Sequence, residues 1–307
     1  MAEERTFRGV FTIPVTPFDE RGQLSEEDLR RVVRFCVRAG AHGIVAPVNA
    51  SEFSALSDDE RRRVAEIVVR ETAGRVPVVV GVSAVSAEVA VGFARHARQI
   101  GADAVIAMPP YVRKPNMDGV YDYYRALSEA TDLPVFIQNY PLPVGVPMSA
   151  EFMARLLREL PHVQYIKEEV QPTTHAVSAS LRLGGDRLKG VFGGAAGRHM
   201  MDEMRRGACG TMPACDVPDL HVAVYEAHER GDLVESRRLF NRLLPLLNVE
   251  FQYGVHVYKE VLRRRGVIRS TYVRAAAIPG LDAFDHRELD EVLKEIEPLF
   301  KVTGDMI

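Results

Sequence analysis

Lysine is scarce in this chain: six lysines stand against 33 arginines, so arginine is the usual choice wherever a surface cation serves. Lys167 stands out against that background. It sits near the end of the apolar run VQYIKE, residues 163–168. Two-residue alternation predicts Val163, Tyr165 and Lys167 on one face, with Gln164 and Ile166 on the other. Desolvation among apolar neighbours disfavours an ammonium. A neutral amine adds to a ketone and forms a Schiff base, chemistry closed to a permanently charged guanidinium. The competing reading is a rim lysine paired with Glu168 or Glu169.

Other short apolar runs also end in groups suited to chemistry. One closes on Asn49, Ala50, Ser51 and Glu52, a polar turn. Another closes on Gln138, Asn139 and Tyr140, a third on Tyr111, a fourth on Gly193 and Gly194, and a fifth on residues 212–216, beginning with Met212. Glutamine cannot act as a general acid, but its amide can hydrogen-bond a hydroxyl or a water. Tyr140 falls on the side of Gln138 if the strand continues, although Pro141 follows at once. The glycine-rich GGAAG, residues 193–197, opens a helix, where a phosphate could bind or a backbone could approach a substrate closely.

These groups are positioned by one repeated pattern. The runs 9–16, 43–48, 77–82, 104–109, 134–139, 163–168, 188–194 and 208–213 are bounded by glycine and proline and read as buried parallel strands. Amphipathic stretches separate them, with Ser25, Ser57, Ser86 and Ser149 as helix-start signals and Gly40 as a stop. Eight strand–helix units predict an α/β fold, a closed (β/α)8 TIM barrel over residues 1–230. Its catalytic groups would lie where the strands end. Residues 231–307 predict a C-terminal helical extension packed on the barrel, with helices near 233–247, 255–265 and 286–300.

Composition removes several classes of function. A net charge of −3 argues against nucleic-acid binding. Three cysteines without a CxxC pair, and nine histidines without HExxH or HxH, give no disulfide scaffold and no metal site. No run reaches the ~18 apolar residues of a membrane span, and the charged start MAEERTFRGV lacks a leader's apolar core. A cytoplasmic location is the expectation.

The segments GVFTIPVTPFDERGQLSEEDL, AMPPYVRKP, YIKEE and the LLPLLN–YKEVLRRRG tail resemble the dihydrodipicolinate synthase / N-acetylneuraminate lyase family over nearly the whole length. That resemblance implies a barrel with a helical extension, a homotetramer built as a dimer of dimers, and no cofactor. It also implies that Lys167 forms an imine with a 2-keto acid and that Tyr111 reaches a neighbouring subunit's site. Asn49, Ala50 and Ser51 would then cradle the substrate carboxylate, and Gly194 and Met212 would approach the imine end. Three features depart from the family pattern. The second loop has lost both glycines of GxxGE, Gln138 replaces the YNxP tyrosine, and residues 141–145 lack the arginine that holds a synthase's second substrate.

The branch containing L-2-keto-3-deoxyarabonate dehydratase fits these departures. The expected activity is a Schiff-base lyase on a short 2-keto acid, with dehydration of a 2-keto-3-deoxy sugar acid favoured. Aldol release of pyruvate is the alternative, and a non-catalytic 2-keto acid or phosphate-binding barrel is the rival of another class. A Tyr140 hydroxyl standing in for the lost phenol remains open.

Overall fold

The computed structural model describes residues 7–274 and 279–307. Eight short strands appear among them: β1 (Gly9–Thr12), β2 (Gly43–Ala46), β3 (Val78–Gly81), β4 (Ala104–Ala107), β5 (Val135–Asn139), β6 (Val163–Glu168), β7 (Gly190–Gly193) and β8 (Gly210–Thr211). All pair in parallel with their sequence neighbours, and β8 closes on β1 to complete the barrel. Valine and isoleucine dominate the strands because both of their faces are covered. Helices α1 (Glu26–Arg38), α2 (Asp58–Thr72), α3 (Ala87–Gln99), α4 (Met117–Ala130), α5 (Ala150–Glu159), α6 (Thr173–Gly184), α7 (Met200–Arg205) and α8 (Pro218–Glu229) follow the strands in turn. The extension contributes α9 (Leu233–Tyr253), α10 (Val255–Arg264) and α11 (Ala283–Ile296).

The helix starts follow the serine signals. Ser57 completes a reciprocal capping box with Glu60, and the Ser86 and Ser149 hydroxyls accept from Val89 and Phe152 amides. Ser25 occupies the cap position of α1 without a side-chain bond. Several bounds differ, and two of the differences have a clear physical cause. The helix expected to end at 247 runs on to Tyr253 with Pro245 inside it. Val163 packs in the outer layer beside Ile166, because a register shift in the β5–β6 pairing breaks the alternation before Tyr165.

Two apolar layers result. An outer one joins the strands' outward residues to the helices. The inner one is a plug containing Phe7, Phe11, Phe136, Tyr165 and Phe192, with Phe136 and Tyr165 stacked at 4.4 Å between centroids. A third cluster joins α7, α8 and the three C-terminal helices, and includes Val10 of β1. Among the described residues no helix is long and apolar enough to cross a membrane.

Candidate active site

Lys167 lies two residues beyond Tyr165 on β6, so its side chain emerges above the aromatic plug. It is 3% exposed, and its Nζ lies 3.3 Å from Glu169 Oε2. Gln138 pairs with Lys167 across β5 and β6 and donates its Nε2 to that same oxygen at 2.8 Å. The other oxygen, Glu169 Oε1, accepts from the Ala195 amide at 3.2 Å. Gly194 makes room for this arrangement: a Cβ there would collide with the Glu169 carboxylate. Amine, amide and backbone N–H thus hold one buried carboxylate beside the only lysine on the barrel interior among the described residues.

Behind this group two further glutamates are buried. Glu168 accepts from the Asn139 amide and from the Val170 N–H, and burial raises its carboxyl to about 7. Glu203 accepts from the Thr173 hydroxyl at 2.6 Å, and burial likewise pushes it up to about 7. Desolvation outweighs hydrogen bonding in both.

The loop after β2 supplies the facing wall. Asn49 and Ala50 line a cavity of about 450 Å³ that they share with Lys167, Tyr140 and Met212. The buried Asn49 Nδ2 completes no bond of good geometry and has the Tyr140 hydroxyl beside it, so it is a donor available to a bound group. Ser51 is turned away: its hydroxyl donates to the Pro14 carbonyl at 2.6 Å, and its own carbonyl accepts from Thr16. It braces the loop instead of lining the cavity. Glu52 is held from outside by Lys259 Nζ and by the Arg274 amide.

β5 ends at Asn139, so Tyr140 has left the pleat, yet its ring lines the cavity with its hydroxyl beside Asn49. Burial, with the Glu169 charge adding to it, holds that hydroxyl above its ordinary value. Tyr111 packs edge-on against Phe53, 5.5 Å between centroids, and is not brought to the Lys167 cavity of its own chain. Gly194 acts through Glu169, while Ala195 and Ala196 form the lining at that point.

Sequence reasoning treated Glu169 only as a competing partner for Lys167, and it missed Arg198, Glu250 and Tyr258, which also line the cavity. Arg198 stacks on Phe251 at 4.1 Å. Glu250 belongs to the part of α9 beyond Pro245, and no local pattern aims it at the barrel.

The chain is 33% identical over 297 residues to L-2-keto-3-deoxyarabonate dehydratase of Azospirillum brasilense, covering 95% of each. It is 34% identical over 291 residues to 4-hydroxy-tetrahydrodipicolinate synthase of Rhodopseudomonas palustris, covering 91% of this chain and 93% of the relative. Crystal structures of dihydrodipicolinate synthase from Rhodopseudomonas palustris and from Thermotoga maritima each superpose with a TM-score of 0.87 at 27% identity. The first match covers 95% of this chain and 99% of its partner, and the second covers 96% and 100%. The Dihydrodipicolinate synthetase family model matches residues 6–296, and the chain belongs to that family.

Proposed function

We propose that this protein is a Schiff-base-forming hydro-lyase that removes water from a 2-keto-3-deoxy sugar acid. The observation that carries the reading is the Glu169 carboxylate, held by Gln138 at 2.8 Å and standing 3.3 Å from Lys167 Nζ. Lys167 adds to the C2 ketone and expels its oxygen as water, leaving a cationic imine that acidifies the C3 protons. Glu169 is then within reach of C3 and serves as the base that gives the enamine. Asn49 Nδ2 and the neighbouring loop meet the substrate carboxylate. Loss of the C4 hydroxyl from the enamine completes the elimination.

Two things support this over a synthase. Residues 141–145, PLPVG, offer no guanidinium to a second substrate. Gln138 leaves the tyrosine position without a proton to relay. A homotetramer, with Tyr111 directed to a neighbour, remains part of the proposal.

The test is the product. Incubated with a 2-keto-3-deoxypentonate, the protein should release the dehydrated semialdehyde and little pyruvate. Pyruvate as the major product, read by coupled lactate dehydrogenase, would make it an aldolase instead.

A further inference from the structure

A second pair of carboxyl groups lies beside the same cavity, with one of them in its wall. Asp216 lies just beyond β8 and is 0% exposed, while Glu250, on the last turns of α9, is 2% exposed and lines the cavity with Lys167. None of their four oxygens is met by a donor from another described residue. Each carboxyl feels the charge of the other. Two buried, unpartnered carboxyls that interact this way resist ionising together, so the pair favours keeping a proton. A buried carboxyl with no other partner, opening into a catalytic cavity, is a proton donor waiting for an acceptor.

Its surroundings keep that proton in place. Burial raises Asp216 to about 6 and Glu250 well above the usual carboxylate range, with the Asp216 charge adding to the latter. The Arg198 guanidinium opposes the rise at Glu250. Arg265 opposes it at Asp216, where Asp219 reinforces it. The Tyr258 hydroxyl lies within the fields of Glu250, Asp216, Tyr140 and Glu169, and burial pushes it far above its ordinary value, so it stays protonated. Burial thus favours the protonated form of the pair, and most strongly at Glu250.

We propose that Glu250, with Asp216 as the positioning partner that keeps it protonated, is the acid that delivers a proton to the C4 hydroxyl as it leaves. This rests on the dehydratase reading above. In the enamine the nitrogen pair reforms the C2–N double bond, and the C2–C3 pair moves to C3–C4. The C4–O bond then breaks with its electrons on oxygen. That oxygen takes the Glu250 proton and departs as water. Glu169 holds the proton removed from C3, and exchange with solvent returns both glutamates to their starting states. Two carboxyl environments with opposite protonation thus divide the work between C3 and C4.

Glu250→Gln is the direct test. We expect its kcat for dehydration of a 2-keto-3-deoxypentonate to fall at least 100-fold. Two partial reactions that involve no C4 hydroxyl should hold near wild-type rates: borohydride-trapped imine formation with pyruvate, and exchange of the pyruvate methyl protons for deuterium followed by NMR. Asp216→Asn should move the alkaline limb of the dehydration profile to lower pH while the exchange profile stays in place, and this arm decides if Glu250→Gln does not fold. Near-normal dehydration by Glu250→Gln, loss of exchange alongside dehydration, or an unmoved Asp216→Asn profile would overturn the proposal. Wild-type protein that exchanges pyruvate protons but dehydrates no 2-keto-3-deoxy acid would instead remove the dehydratase reading beneath it.

Discussion

Gln138 and Lys167 converge on a single atom: Glu169 Oε2 accepts from Gln138 Nε2 at 2.8 Å and lies 3.3 Å from Lys167 Nζ. The residue at 138 therefore sets where the carboxylate proposed as the C3 base stands and what else can exchange a proton there. Glutamine fixes the carboxylate but offers no acidic proton.

A tyrosine at that position adds a phenol able to relay a proton from a C4 hydroxyl. Gln138→Tyr is expected to raise the share of pyruvate released from a 2-keto-3-deoxypentonate. The ratio of pyruvate to semialdehyde reads this directly, and an unchanged ratio would take Gln138 out of the account.

Glu169→Gln keeps the size and one acceptor oxygen of the side chain but loses the base. The imine should still form, so borohydride trapping with pyruvate persists. Deuterium exchange into the pyruvate methyl group and dehydration should both fall by roughly 10²–10⁴-fold, the range for loss of a general base. Exchange at the wild-type rate would assign the C3 proton to another group.

The loop carrying Asn49 depends on a distant ion pair. Lys259 and Glu52 meet with 0% and 1% of their side chains exposed, and the Lys259 ammonium lies 4.5 Å from the Phe18 ring centroid. Lys259→Met removes the cation and leaves Glu52 buried without it. We expect a loss of about 3–5 kcal/mol in urea unfolding, as for other broken buried pairs. Substituting both residues by apolar ones should recover part of that loss, and a change below about 1 kcal/mol for the single variant would contradict the assignment.

Glu203 gives a pH dependence with a definite sign. Its carboxyl stands at about 7 in the folded chain against an ordinary 4.5, raised first by burial. A raised carboxyl contributes most below the unfolded value and loses that contribution as pH climbs through the folded one. Glu203→Gln should match the wild type near pH 5 and exceed it by on the order of 2 kcal/mol at pH 8.5. Parallel stability–pH curves for the two proteins would rule this out.

Much of the barrel was legible because parallel strands covered on both faces must be short apolar runs, and serines mark the helix starts. Lys167 was legible for the same reason, since a strand end in this fold faces the site. Glu169 was visible beside it but was read only as a partner that neutralises the lysine. Its position depends on Gln138 and on the Ala195 amide, contacts 31 and 26 residues away in sequence. Ser51 had the right chemistry and loop but turned to Pro14, a choice set by packing against β1. Glu250 was hidden because the helix was expected to end near residue 247, whereas α9 continues to Tyr253 and carries Glu250 into the cavity wall.

Reductive trapping tests most directly the proposal that Lys167 carries the substrate as an imine. Protein incubated with pyruvate and borohydride should gain one reduced adduct on the peptide containing Lys167. Lys167→Ala should fold normally and gain none. An adduct on any of the other five lysines, or none with any 2-keto acid tried, would contradict the account.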